Sequence, residues 1–169
     1  MAININGTKR KACYFNGAKC KKIVVNGVTV KNTEVVDFKG VNTFSNGELG
    51  TAKVTGGLGT LEILNFYPDE HGEVSTHKDF DVTDFTTFSY DYYYLEEGDE
   101  NGGDNYADIH IGTGSNRQII GFKSESGVPK TGHKEHDISI FDTVRLYFAT
   151  ATNWNNGKVT LRLTNCVFE

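Results

Sequence analysis

Apolar and polar residues alternate one by one through run after run of this chain, and no long segment places apolar residues at helical spacing. The sharpest run is TTFSYDYYYL, residues 86–95, where Phe88, Tyr90, Tyr92 and Tyr94 share one side of an extended strand and Ser89, Asp91 and Tyr93 the other. The aromatic side reads as core because the opposite side is the polar one; a sugar-stacking stripe is the alternative. Further strand-like runs are predicted at 40–45, 51–55, 59–66, 73–82, 106–112, 117–123, 136–140, 143–152 and 158–168. Polar loops and glycine pairs such as Gly56-Gly57 and Gly102-Gly103 separate them. Many short strands so punctuated predict an all-β jelly-roll or β-sandwich domain over residues 38–169.

Residues 1–37 keep a stricter rhythm. Asn6-Gly7, Asn16-Gly17 and Asn26-Gly27 recur every ten residues, and these two residue types best tolerate the positive φ that both central positions of a type I′ turn require. The spacing predicts a small β-hairpin meander with eight-residue strands, a normal length. With two-residue loops, paired positions sum to 33 about the second turn and 53 about the third. Lys11, Lys22 and Lys31 then lie side by side and, with Lys9, form the basic side of an attachment surface. Its apolar side gathers Ile23, Val25, Val28 and Val30, with Ile3, Ile5 and Tyr14. Such a meander buries too little to offset an ordering entropy of roughly 1–2 kcal/mol per residue. Cover is expected from the rest of the chain, a second copy or another protein.

Charge sharpens this division. Seven basic residues and no acidic one precede Glu34, so a net charge of −5 leaves −12 on the remainder. The basic side reads as a solvated strand face or as a dock for an acidic protein surface. Nucleic acid is not an expected partner, because only Tyr14 and Phe15 are at hand as stacking rings. In this register Cys13 faces Cys20 at about 5.5 Å between Cα atoms, near enough for a disulfide. The three cysteines match neither a zinc spacing nor a secreted disulfide framework, so reduced thiols are expected. Met1 is followed by no secretory signal, and there is no run of about 18 apolar residues. Synthesis in the cytosol and no membrane partner are the expectations.

The pattern YFNGAKCKKIVVNGVTV, residues 14–30, is similar to short modules of bacteriophage virion proteins, in tail, baseplate, fibre or capsid-attached components, that precede variable β-rich domains. The resemblance implies a virion structural protein, assembled in the bacterial host cytoplasm, attached to other virion proteins through residues 1–37 and displaying the body. Trimers are common among such fibre proteins, so a homo-oligomer is implied as well. HDISIFDTVRLYF, residues 136–148, followed by a closing strand, resembles the end of carbohydrate-binding jelly rolls. A turn at Asn156-Gly157 would make the last two runs a hairpin with paired positions summing to 313. Val144, Leu146, Phe148, Trp154, Val159, Leu161, Leu163 and Val167 then face the core, and Arg145, Tyr147, Thr160, Arg162 and Thr164 face away.

Candidate chemistry concentrates on two runs. In 106–112, Ala107, Ile109 and Ile111 point inward and Tyr106, Asp108 and His110 outward. If this strand pairs with 86–95 across the acidic loop, Asp91, Tyr93, Tyr106, Asp108 and His110 form one outer patch. Carboxylates and an imidazole beside tyrosine rings suit a host-surface or environmental glycan, through hydrogen bonds to hydroxyls and stacking on the sugar ring. A solvated strand face is the simpler alternative. Glu96, Glu97, Asp99, Glu100, Asp104 and Asp108 offer oxygens to calcium but lack the EF-hand spacing, so no metal is assigned. His133 and His136 read as exposed loop residues. Neither a G-x-S-x-G elbow nor a phosphate-binding loop is present, so neither enzyme activity nor a cofactor is expected. Three readings remain: a virion protein with glycan-binding capacity, a free carbohydrate-binding module, and a glycosidase using Asp91 and Asp108.

Overall fold

The computed structural model describes residues 33–46, 52–67, 72–98, 105–152 and 157–169, together with six short strand backbones before them. Those six form three hairpins, one around each Asn-Gly pair: β1 (Ile3–Ile5) with β2 (Thr8–Arg10), β3 (Tyr14–Phe15) with β4 (Ala18–Lys19), and β5 (Ile23–Val25) with β6 (Val28–Val30). The pairs Tyr14↔Lys19 and Ile23↔Val30 have the registers that two-residue loops demand. Among the described residues each hairpin is a separate two-stranded sheet, so the continuous meander is not seen. Lys9, Ile23, Val25, Val28 and Val30 lie on these strands. Lys11, Cys13, Cys20, Lys22 and Lys31 lie outside the described residues.

The body is all-β, two antiparallel sheets packed as a β-sandwich. Its strands are β7 (Glu34–Val35), β8 (Asn42–Asn46), β9 (Lys53–Gly57), β10 (Thr60–Tyr67), β11 (Gly72–Asp81), β12 (Thr87–Glu97), β13 (Tyr106–Thr113), β14 (Asn116–Phe122), β15 (Lys130–Asp137), β16 (Thr143–Thr152) and β17 (Gly157–Phe168). The six-stranded sheet runs β15-β12-β17-β10-β9, with β7 also on β17, and the five-stranded sheet runs β14-β13-β16-β11-β8. From β8 onward, β9–β10 and β13–β14 are the hairpins within one sheet; every other consecutive pair of strands changes sheet. β7, which the spacing assigned to the hairpin segment, belongs to the sandwich, and Val36 and Phe38 just after it are buried in the core.

Alternation explains which residues fill the space between the sheets. Phe88, Tyr90 and Tyr94 on β12 are buried there, with Ile109 and Ile111 on β13 and Leu146 and Phe148 on β16. Phe38 meets Phe148 and Phe80 edge to face at 5.6 and 6.0 Å, and Phe80, Phe85 and Phe88 all touch Phe168. Each such pair contributes about 0.5–1.5 kcal/mol beyond area burial, so this cluster ties the sheets together.

Three expectations are corrected. β16 and β17 do not form a hairpin: β16 lies between β11 and β13, while β17 lies between β12 and β10 in the other sheet. Both strands have one apolar face, and the faces meet across the core instead of side by side. Second, Val167 is half-buried while Cys166 and Phe168 are buried. A bulge opposite Tyr90 shifts the register between Ser89↔Val167 and Asp91↔Thr164, with Asn165 at φ 51°, and this reverses the alternation. Third, the run expected at 136–140 is β15, Lys130–Asp137, a polar edge strand whose charged residues protect its open edge. Ile138 and Phe141 form a buried turn after it. His133 and His136 therefore sit on a strand.

Candidate functional site

Strand order separates the five residues expected to form one patch. Asp91 and Tyr93 lie on β12 in the six-stranded sheet, whereas Tyr106, Asp108 and His110 lie on β13 in the five-stranded sheet. Both sets point away from the core, so they occupy opposite surfaces of the sandwich. Packed sheets are about 10 Å apart, which also places the Asp91 and Asp108 carboxyls too far apart to flank one glycosidic bond.

On the six-stranded side the polar groups are engaged with one another. Asp91 accepts a hydrogen bond from Asn165 Nδ2 at 2.7 Å and pairs with His133 Nδ1 at 2.7 Å. Those bonds, from Asn165 first and His133 second, hold the Asp91 carboxyl below its usual range, and Asp91 in turn raises the His133 imidazole. Arg162 lies 5.5 Å from the Tyr93 ring centroid and pairs with Glu62 on β10. These cross-strand contacts belong to the architecture of the sheet. From the acidic stretch, Glu96 is buried and accepts the Tyr94 hydroxyl at 2.5 Å, and Glu97 pairs with Lys158 at 2.8 Å. Asp99, Glu100 and Asp104 lie outside the described residues.

The outer face of the five-stranded sheet is different. Register aligns Asn42, His77, Tyr147, His110 and Ile119 in one row across β8, β11, β16, β13 and β14. The next row along the strands is Phe44, Ser75, Ala149, Asp108 and Gly121, and on the other side lies Asp79, Arg145, Gly112 and Arg117. Large rings thus border small residues. The His110 and Tyr147 rings are 5.0 Å apart, and half-exposed Phe44 stacks on His77 at 5.3 Å and 6°. A cleft of about 410 Å³ opens beside the ring pair, lined by His110, Gly112, Gly114, Arg117, Arg145 and Tyr147. A neighbouring cleft of about 320 Å³ is lined by Tyr106, Asp108, Gly121, Phe122 and Lys123.

The cleft is shaped by the β13–β14 hairpin. Thr113 pairs with Asn116, and the two residues between them turn the chain with Gly114 at φ +54°. Gly112, at φ +142°, lies so close to β14 that a Cβ would come within 2.2 Å of the Asn116 carbonyl oxygen. Arg145 donates from Nε and Nη2 to the two Asp79 carboxylate oxygens at 2.7 and 2.9 Å, which depresses the Asp79 carboxyl. Burial, then the nearby Arg117 charge, lowers the His110 pKa, which favours its neutral form. Flat rings, a neutral imidazole and guanidinium donors around an open trough can hold a hydroxylated ring by stacking and hydrogen bonds.

Of the expected site residues, His110, Asp108 and Tyr106 therefore line this face. Arg117, Tyr147, Phe44 and His77 join them. Alternation had already turned Tyr147 outward, but which strand lies beside it was not readable.

No family model matches the sequence, and no curated protein matches it. Solved structures do. TmCBM61, solved in complex with β-1,4-galactotriose, superposes with a TM-score of 0.53 at 9% identity over 79% of this chain and 90% of that one. A carbohydrate-binding module of the β-sandwich superfamily gives 0.45 at 12% identity, over 82% of this chain and 65% of that one. The enzymatically active domain of bacteriophage CBA120 tailspike protein 4 gives 0.42 at 8%, over 81% of this chain and 19% of that one. The last two are too loose to bear on function. The first shows the architecture: the chain folds as a β-sandwich of the kind seen in carbohydrate-binding modules.

Proposed function

We propose that this protein is a non-catalytic glycan-binding module that uses the outer face of its five-stranded sheet, in the setting of a bacteriophage virion. The observation that carries the binding site is the His110–Tyr147 ring pair beside the open 410 Å³ cleft. On the opposite sheet the corresponding polar groups are engaged with each other. The sandwich shared with TmCBM61 supports the same reading. A glycan array followed by titration tests it. Tyr147→Ala and His110→Ala weaken binding about tenfold or more, as expected for loss of a stacking ring. Tyr93→Ala, on the far sheet, leaves it unchanged. Absence of any glycan signal from the intact protein, or equal sensitivity at Tyr93, refutes the proposed face.

The virion half rests on the resemblance of residues 14–30 and on hairpins that, among the described residues, pair only within themselves. In this reading residues 1–32 dock on other virion proteins. Their apolar residues Ile23, Val25, Val28 and Val30 are covered by the particle or by sister subunits of a homo-oligomer. Removing residues 1–32, which leaves β7 with its sheet, abolishes particle incorporation while the sandwich stays folded. Normal incorporation after that deletion refutes attachment through this segment and favours a free carbohydrate-binding module using the same face.

A further inference from the structure

We infer that the glycan taken by the five-stranded face is acidic, a hexuronate-bearing chain whose ring carboxylate is bound between Arg117 and Arg145; this rests on the glycan-binding reading above. Register sets the two arginines on the strands either side of Gly112, and both line the cleft beside it. Next-but-one strands are about 9.6 Å apart, a span that admits one sugar unit. Both guanidiniums line the cleft, and with Asp79 paired to Arg145 it is the Arg117 charge that stands uncompensated among the described residues, on a chain of net charge −5. That is a local reversal of the protein's charge.

Both arginines have donors to offer. Arg145 uses two N–H groups on Asp79, which fixes its plane and leaves three of the five donors of a guanidinium. The Arg117 side chain makes no hydrogen bond or ion pair among the described residues. A planar guanidinium matches a planar carboxylate through paired, charge-assisted hydrogen bonds. The position of the rings favours a carboxylate borne directly on the sugar. His110 and Tyr147 lie one row along the strands from Gly112 and Arg145, about 6.8 Å away. A ring-borne carboxylate plus one hydrogen bond of about 2.8 Å spans that row when the pyranose lies against the ring pair.

Isothermal titration of the full chain tests this with oligogalacturonate, hyaluronan and alginate oligosaccharides, the carboxyl-reduced counterpart of each, and a sulfated carrageenan oligosaccharide. At least one uronate probe is expected to bind about tenfold or more tighter than its reduced counterpart, with an advantage that shrinks as salt is raised. Arg117→Gln brings that affinity down to the level of the reduced probe. Arg162→Gln, on the opposite sheet, keeps the preference. Equal binding of acid and reduced forms, a preference that survives Arg117→Gln, or carrageenan binding tighter than every uronate overturns the inference and leaves glycan binding standing. If no probe binds, the inference falls, and the glycan array decides the glycan-binding proposal separately.

Discussion

The β13–β14 hairpin offers a perturbation whose size can be worked from two neighbouring glycines. At Gly112 the backbone sits at φ +142°, and an added Cβ would lie 2.2 Å from the Asn116 carbonyl oxygen and 2.7 Å from the Arg117 Cα. Both are backbone atoms, so no side-chain rotation relieves the clash. A dihedral that L-residues rarely adopt costs about 1–3 kcal/mol, and forcing an extra methyl into a filled space costs about 1–3 kcal/mol more. Gly112→Ala is therefore expected to destabilise the protein by roughly 2–6 kcal/mol. Gly114 is the internal control. Its φ is +54° and nothing lies within 4 Å of an added Cβ, so Gly114→Ala carries only the left-handed penalty of about 1 kcal/mol. Urea unfolding of the two variants at one pH measures the difference directly, provided the transition slopes agree. Where Gly112→Ala still folds, β14 must move away from β13 and carry Arg117 with it. Ligand binding should then fall further than in Gly114→Ala. Equal midpoints for the two variants would falsify the close approach and, with it, the account of how the cleft is shaped.

Other outcomes follow from the opposite sheet and the core. At the bulge, Asn165→Gly and Asn165→Ala both lose the bond to Asp91, but only alanine is strained at φ 51°. Alanine should be about 1 kcal/mol less stable than glycine in chemical denaturation, and the reverse order excludes a left-handed residue there. The Asp91–His133 pair predicts a pH window. The lowered Asp91 pKa adds stability that is present above the usual 3.8 and lost as pH falls through the folded value. The raised His133 pKa adds stability that is present below 6.5 and lost as pH rises through the folded value. The pH-dependent part of the difference between wild type and Asp91→Asn should thus peak between about pH 4 and 6.5 and remain small, because both groups are exposed. A difference that does not vary with pH removes the ion pair. Cys166 is buried and its thiol is pushed up to about 12 by burial. In a Cys13→Ser, Cys20→Ser background it should react with a thiol reagent only upon unfolding, and rapid labelling of the native protein would contradict its place in the core.

Much of the sandwich was legible from local pattern. Tyr106–Thr113 and Thr143–Thr152 fall within a residue of the runs read from alternation. The sides were right too, with Phe88, Tyr90, Tyr94, Ile109 and Ile111 inward and Asp91, His110 and Tyr147 outward. Where alternation was absent, the pattern was silent or misplaced. β15 is polar on both sides because it is an edge strand, and its position was missed by several residues. The change of phase at Thr164-Asn165-Cys166 was not read from the pattern, which carried Val167 inward; it appears as a bulge only against the register with β12.

The candidate site was half legible for the same reason. His110 and Tyr147 were each known to face outward, yet nothing near either residue says that their strands are neighbours. Asp91 and Asp108 were brought together by assuming that consecutive strands pair. In this sandwich the chain changes sheet between β12 and β13, and again between β16 and β17. The sequence by itself determined that the chain is all-β, where most of its strands run and which side of most of them is apolar, because side-chain alternation and turn chemistry act within about ten residues. The tertiary structure alone decided which strands became neighbours. Any two strands with one apolar face can pair at similar cost, and only burial of all those faces in one shared core selects among the pairings.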